Sequence, residues 1–118
     1  MKIKFYETLC KIFKNYRVDD FSFVNIEYEY AKTILKNDNN AILLDVRSPQ
    51  EYRERHLQGS INIPLYNLED EVEEKIQNKQ NTIIVYCQSG GRSKKACEIL
   101  SYKKYKSVYN IEGGLDAI

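Results

Sequence analysis

The sequence predicts an α/β fold with a mostly parallel central sheet and helices on both of its faces, and two observations carry that reading. Short, nearly continuous apolar runs recur as AILLDV (41–46), SINIP (60–64), TIIVY (82–86) and SVYNI (107–111). Such runs suit strands covered on both sides, because a strand with one wet face alternates apolar with polar residues. Between the runs lie stretches whose apolar residues recur every three or four positions, the period of a helix with one buried face. Strands alternating with helices point to a parallel sheet, and ligands of such sheets lie outside the carboxyl ends of the strands.

Each element has its own local reason. Phe5, Leu9, Ile12, Phe13 and Tyr16 outline an amphipathic helix over 5–16, read as an extension at residues 1–20 ahead of a domain at 21–118. Its mixed charges and short apolar face favour packing on the domain over lying on a membrane. FSFVNI (21–26) reads as an extended entry, and YEYAKTILK (28–36) as a helix with Tyr28, Ala31 and Leu35 on one side, closed by the turn cluster KNDNN (36–40). The strand at 41–46 carries Asp45 at its end, with Arg47 just beyond. After the second strand, NLEDEVEEKI (67–76) is helical, with Leu68, Val72 and Ile76 in register and acidic residues crowding its first turns. The strand TIIVY leads to a helix over SKKACEILSYKK (93–104), then to SVYNI, and Gly113–Gly114 turns the chain into a short final helix.

Composition narrows the function. A chain of 118 residues with 42% hydrophobic and 30% charged residues suits one globular core. Lys and Arg number 18 against 17 Asp and Glu, so no strong field draws in nucleic acid or an anionic membrane. The three cysteines, Cys10, Cys87 and Cys97, are an odd number without a C-x-x-C pair, and there is one histidine. That combination argues against a disulfide framework and a zinc site, and it fits a reducing, cytoplasmic setting. No apolar run approaches the roughly 20 residues of a membrane span.

Chemistry concentrates in VYCQSGGRS (85–93), where a cysteine ends a strand and two glycines, an arginine and a serine follow. Cysteine reacts as its thiolate, which needs positive potential nearby. Gly90 and Gly91 allow a turn that points amide groups inward, the next helix aims its positive end at the same space, and Arg92 adds a fixed charge. Ser93 reads as a helix cap. The loop is suited to an oxyanion or to an anionic sulfur species on Cys87. Cys97, beside Ala96 and Leu100 on a helix, lacks such surroundings and reads as packing, as does Cys10.

These residues resemble the rhodanese family, whose active loop opens with cysteine and often closes with arginine-serine, as CQSGGRS does. DVRSPQEYRERHLQGSINIP (45–64) and YNIEGGLDAI (109–118) are similar to two further family segments, so the resemblance runs over 22–118. It implies a rhodanese-like fold and a sulfurtransferase. Sulfane sulfur would pass from a small anionic donor such as thiosulfate onto Cys87 as a persulfide, then to cyanide, a thiol or a protein acceptor. The resemblance makes Cys87 the carrier, Gln88, Ser89, Gly90, Gly91, Arg92 and Ser93 the binding loop, and Asp45, Arg47, Glu51 and His56 rim or structural residues. It implies no metal or organic cofactor.

The chain departs from the family at Arg55, where a glycine is common. It also ends in Asp-Ala-Ile, where alanine-tryptophan usually follows, which leaves the packing of the last helix as a question for the structure. Two other readings compete. A phosphatase or arsenate reductase of related fold uses a similar loop but with five residues between cysteine and arginine, against four here, and a tighter ring suits sulfur. A non-catalytic interaction domain would use surface charge such as YKKYK (102–106) or EDEVEE (69–74), and needs no cysteine in the loop.

Overall fold

A computed structural model describes residues 22–118; the helix read over 5–16 and Cys10 lie outside the described residues. Five strands, β1 (Val24–Ile26), β2 (Ile42–Asp45), β3 (Ile61–Asn62), β4 (Thr82–Tyr86) and β5 (Ser107–Ile111), form one parallel sheet in the order β1-β5-β4-β2-β3. The extended entry is thus a true strand, paired with β5 through Val24–Tyr109 and Ile26–Ile111.

Helices cover both faces. On one side α3 (Leu65–Lys75) and α4 (Gly91–Tyr102) bury Leu68, Val72, Ala96, Cys97 and Leu100 against Leu44, Ile83, Val85 and Val108. On the other, Ala31, Ile34 and Leu35 of α1 (Tyr28–Asn37) and Leu115 of a closing 3-10 helix (Gly114–Ala117) meet Leu43, Ile84, Tyr86 and Ile111. Consecutive strand residues such as Leu43 and Leu44 therefore enter opposite cores, which is why these strands are apolar throughout.

Three local expectations are corrected. The helix at 67–76 starts two residues earlier, at Leu65, so its first turn holds no acidic residue. The helix read from Ser93 starts at Gly91. A helix that periodicity does not reveal, α2 (Pro49–Glu54), buries none of its residues and so carries no apolar stripe. Polar chemistry specifies it instead: Pro49 opens the first turn, Ser48 Oγ accepts from the Glu51 amide, and Glu51 Oε1 accepts from the Ser48 amide. Among the described residues no helix is long and apolar enough to cross a membrane.

Candidate active site

The sheet order places β4 between β2 and β5, so the loop leaving β4 at Cys87 is flanked by the segment after β2 and by the closing segment after β5. Cys87 is 1% exposed. Its sulfur accepts from the Gly90 amide at 3.0 Å and from the Ser93 amide at 3.4 Å, and the Ser93 hydroxyl lies 3.4 Å away. Burial alone would raise the thiol pKa, but the Ser93 hydroxyl and the amides of Ser93, Gly90 and Ser89 outweigh it and hold Cys87 below an ordinary thiol. Burial pushes Cys97 in the opposite direction, well above its usual range, with the charges of Glu98 and Cys87 adding to the effect.

Two loop residues differ from their sequence reading. Ser93 is not the helix cap. That place belongs to Gly90, in the left-handed region at φ 109°, and Ser93 sits in the first turn, where its hydroxyl donates to the Gly90 carbonyl at 3.1 Å. Gly91 uses none of glycine's freedom: it has ordinary helical geometry, and a Cβ there would meet no atom within 4 Å. The inward turn thus depends on Gly90 alone.

The segment after β2 supplies two ion pairs. Asp45, 0% exposed, takes both Nε and Nη2 of Arg47, itself 2% exposed, and also the Arg47 amide at 2.8 Å. Arg47 then reaches the Gln88 side chain at 3.4 Å and the carbonyl of Arg55, so this buried pair ties the end of β2 to the Cys87 loop and to the end of α2. Arg55 itself has extended backbone at φ −166°, which any residue adopts, so no glycine is required there. The other pair joins Glu51 of α2 to Arg92 of α4 through two hydrogen bonds of 2.7 and 3.0 Å. Arg92 holds the Glu51 carboxyl down at about 2, with burial opposing and Ser48 assisting. His56 is apart from this cluster. It is exposed, its ring stacks on Tyr52 at 3.9 Å, and its Nδ1 lies 2.8 Å from the Tyr52 carbonyl.

The closing segment is the part of the site that sequence reasoning assigned no role. The amides of Leu115 and Asp116 donate to the carbonyls of Cys87 and Gln88 at 3.0 and 2.9 Å, and Asp116 Oδ1 accepts from Gln88 Nε2 at 2.7 Å. Gly114, at φ 60°, lies so close that a Cβ would approach the Cys87 carbonyl oxygen to 2.4 Å. Its available signal was the Gly113–Gly114 pair one residue after a strand, where small residues mark close approach of another backbone. Leu115 is 3% exposed, which answers the question of packing: this segment is docked on the loop.

Taken together, the loop holds a buried, ionisable sulfur under inward amides, with one arginine at its rim. Residues 27–118 match the family model described as a rhodanese-like domain. The chain is 43% identical over 75 residues to thiosulfate sulfurtransferase PspE of Escherichia coli, covering 64% of this chain and 71% of that protein. It is 31% identical over 111 residues to a tRNA uridine(34) hydroxylase of Buchnera aphidicola, covering 88% of this chain but only 36% of that longer protein. Among solved structures it is similar to a rhodanese with anions from E. coli, with a TM-score of 0.61, 41% identity, and coverage of 66% of this chain and 91% of that one. The chain belongs to the rhodanese-like domain family.

Proposed function

We propose, on the premise of that family membership, that the protein is a sulfurtransferase that carries sulfane sulfur on Cys87. The observation that carries the reading is the sulfur cradle: Gly90 and Ser93 amides at 3.0 and 3.4 Å around a cysteine held below the ordinary thiol range. In the first half-reaction the Cys87 thiolate attacks the outer sulfur of thiosulfate. A Cys87–sulfur bond forms, the sulfur–sulfur bond of thiosulfate breaks, and sulfite leaves with the electron pair. In the second, an acceptor such as cyanide or a thiolate attacks the outer sulfur of the persulfide and Cys87 leaves as thiolate. Inward amides stabilise the anion at both stages without moving. Arg92 supplies charge for the anionic donor, while Asp45 and Arg47 hold the loop.

The name of the E. coli relative supports thiosulfate as a donor. Among the described residues Cys87 and Cys97 are both free, which suits a reducing, cytoplasmic setting. Phosphoryl transfer is the weaker reading. A phosphatase needs a neutral acid to protonate its leaving group. Here Asp45 is buried in its pair with Arg47, Glu51 is ionised down to about 2, and His56 is turned to Tyr52. A docking role for the charge runs is weakened because Glu73 pairs with Lys103 at 2.7 Å and with Lys79 at 2.9 Å inside the same chain.

The test is intact mass after incubation with thiosulfate. A gain of one sulfur atom, lost on adding reductant and absent from Cys87→Ser, is the expected result. Turnover of aryl phosphates faster than sulfur transfer would overturn the reading.

A further inference from the structure

Gln88, the residue after the cysteine, is held from two sides. Its Oε1 accepts from Nη1 of the buried Arg47 at 3.4 Å, and its Nε2 donates to Asp116 Oδ1 at 2.7 Å. A side-chain amide suits that place because it accepts from the cation and donates to the anion at once, whereas a glutamate would only accept and a lysine only donate. The Asp116 contact is charge-assisted, the stronger class of hydrogen bond. Backbone contacts run beside it, since the amides of Leu115 and Asp116 donate to the carbonyls of Cys87 and Gln88 at 3.0 and 2.9 Å. Both peptides are trans, so each carbonyl held towards the closing segment turns the amide of the next residue, Gln88 or Ser89, to the opposite side. That side is the sulfur's, for the Ser89 amide is among the groups that hold Cys87 below an ordinary thiol.

The cradle therefore has two parts with different supports. Ser93 lies within α4 and Gly90 caps it, so the helix fixes their amides. Gln88 and Ser89 precede the helix, and their direction depends on what grips them from outside. We infer that Asp116 is a positioning residue of the Cys87 loop: by holding the Gln88 side chain it keeps the Cys87 and Gln88 carbonyls turned to the closing segment, and so the Gln88 and Ser89 amides turned to the sulfur. The inference rests on Cys87 as persulfide carrier and adds to it a residue that sets how well the loop holds the anion. Charge and position act in opposite directions here. A carboxylate near a thiolate disfavours it, so by charge alone the loss of Asp116 would lower the Cys87 pKa, whereas by position it loosens the amides and raises it. The sign separates the two.

The test titrates Cys87 by its alkylation rate against pH in wild type, Asp116→Ala, Asp116→Asn, Gln88→Met and the double variant Gln88→Met with Asp116→Ala. Arg92, whose charge acts on Cys87, and its partner Glu51 stay in place throughout. Asp116→Ala should raise the inflection by about 0.3–1 pH unit, the net worth of one hydrogen bond. Asp116→Asn keeps an acceptor for Gln88 Nε2 and should restore the wild-type inflection. Gln88→Met, similar in shape but with neither donor nor acceptor, should raise it as Asp116→Ala does, and Asp116→Ala should add nothing in that background. Sulfur transfer from thiosulfate, measured below the inflection, should fall in step by about 2- to 10-fold as the thiolate fraction falls. An inflection that drops in both Asp116 variants would leave charge as the only effect and overturn the positioning role, as would no change in Asp116→Ala. A full further rise in the Gln88→Met background would overturn it too, because Asp116 would then act by another route. Wild type that gains no sulfur from thiosulfate would instead undo the carrier reading, and the alkylation series would still decide the role of Asp116.

Discussion

Glu51 and Arg92, 41 residues apart in sequence, meet in a two-bond ion pair at the rim of the Cys87 loop. The pair fixes the arginine's direction and also offsets its charge. Replacing the carboxylate by amide in Glu51→Gln keeps the side-chain shape and an acceptor for the Ser48 amide, and leaves the rim more positive. The KM for thiosulfate should therefore fall, by on the order of 3- to 10-fold for one charge near the surface. A raised KM would mean that Glu51 serves the donor by orienting Arg92 more than it opposes it by charge.

The same substitution has a pH signature. Glu51 titrates at about 2 in the folded protein against an ordinary 4.5, so its stabilisation is complete above 4.5 and is lost as pH falls towards 2. Because the pair is about one-third exposed, solvent screening limits the effect to about 1 kcal/mol at neutral pH. Denaturant unfolding at pH 7 and pH 3 should show the gap between wild type and Glu51→Gln shrinking at the lower pH.

Arg92→Ala should weaken use of thiosulfate without abolishing it, because the amides of Gly90 and Ser93 remain. A loss of about 10- to 1000-fold in kcat/KM is expected, the range for removing one anion-stabilising group. An unchanged rate would remove Arg92 from donor binding.

Alkylation against pH separates the cysteines. Cys87 should react with an inflection below the ordinary thiol value of about 8.5, and Cys97 only on unfolding, since burial raises its pKa and blocks access. Cys87→Ser should remove the fast phase and all sulfur transfer while the unfolding midpoint stays close to wild type. Transfer that persists in this variant would place the chemistry elsewhere.

The glycines should divide by position. Gly114→Ala forces a Cβ to 2.4 Å from the Cys87 carbonyl oxygen at a positive φ, so the closing segment must lift from the loop, costing about 1–3 kcal/mol with a matching loss of activity. Gly91→Ala meets no atom within 4 Å and has helical backbone, and it should stabilise by about 0.4–1 kcal/mol through the unfolded chain. Thermal melts of the two variants check both signs.

Much of the fold was legible because burial leaves a local record. Leu43–Leu44 and Ile83–Ile84 read as two-faced strands since each pair serves two cores, and Leu68, Val72 and Ile76 read as a helix face since all three enter one core. The helix α2 left no such record, and its Ser48–Glu51 capping box, four residues long, was the available sign of it. In the loop, the types Cys87, Gly90 and Arg92 announced an anion-holding turn. Their division of labour was not visible: Gly91 and Ser93 look equally plausible as turn and cap until the backbone angles place that task on Gly90.

By itself, then, the sequence determined the parallel α/β class, the two-faced strands and a cysteine followed by a glycine-rich turn at the carboxyl edge of the sheet, because each depends on neighbours in the chain. Only the tertiary structure decided the partners: Arg92 with Glu51, Arg47 with Gln88, Gln88 with Asp116, and Gly114 under the Cys87 carbonyl. These follow from β4 lying between β2 and β5, an order that brings segments tens of residues apart to one edge. Residue types and spacing record what a chain can bury or charge locally, but which strand lies beside which is set by packing the whole sheet between its helices.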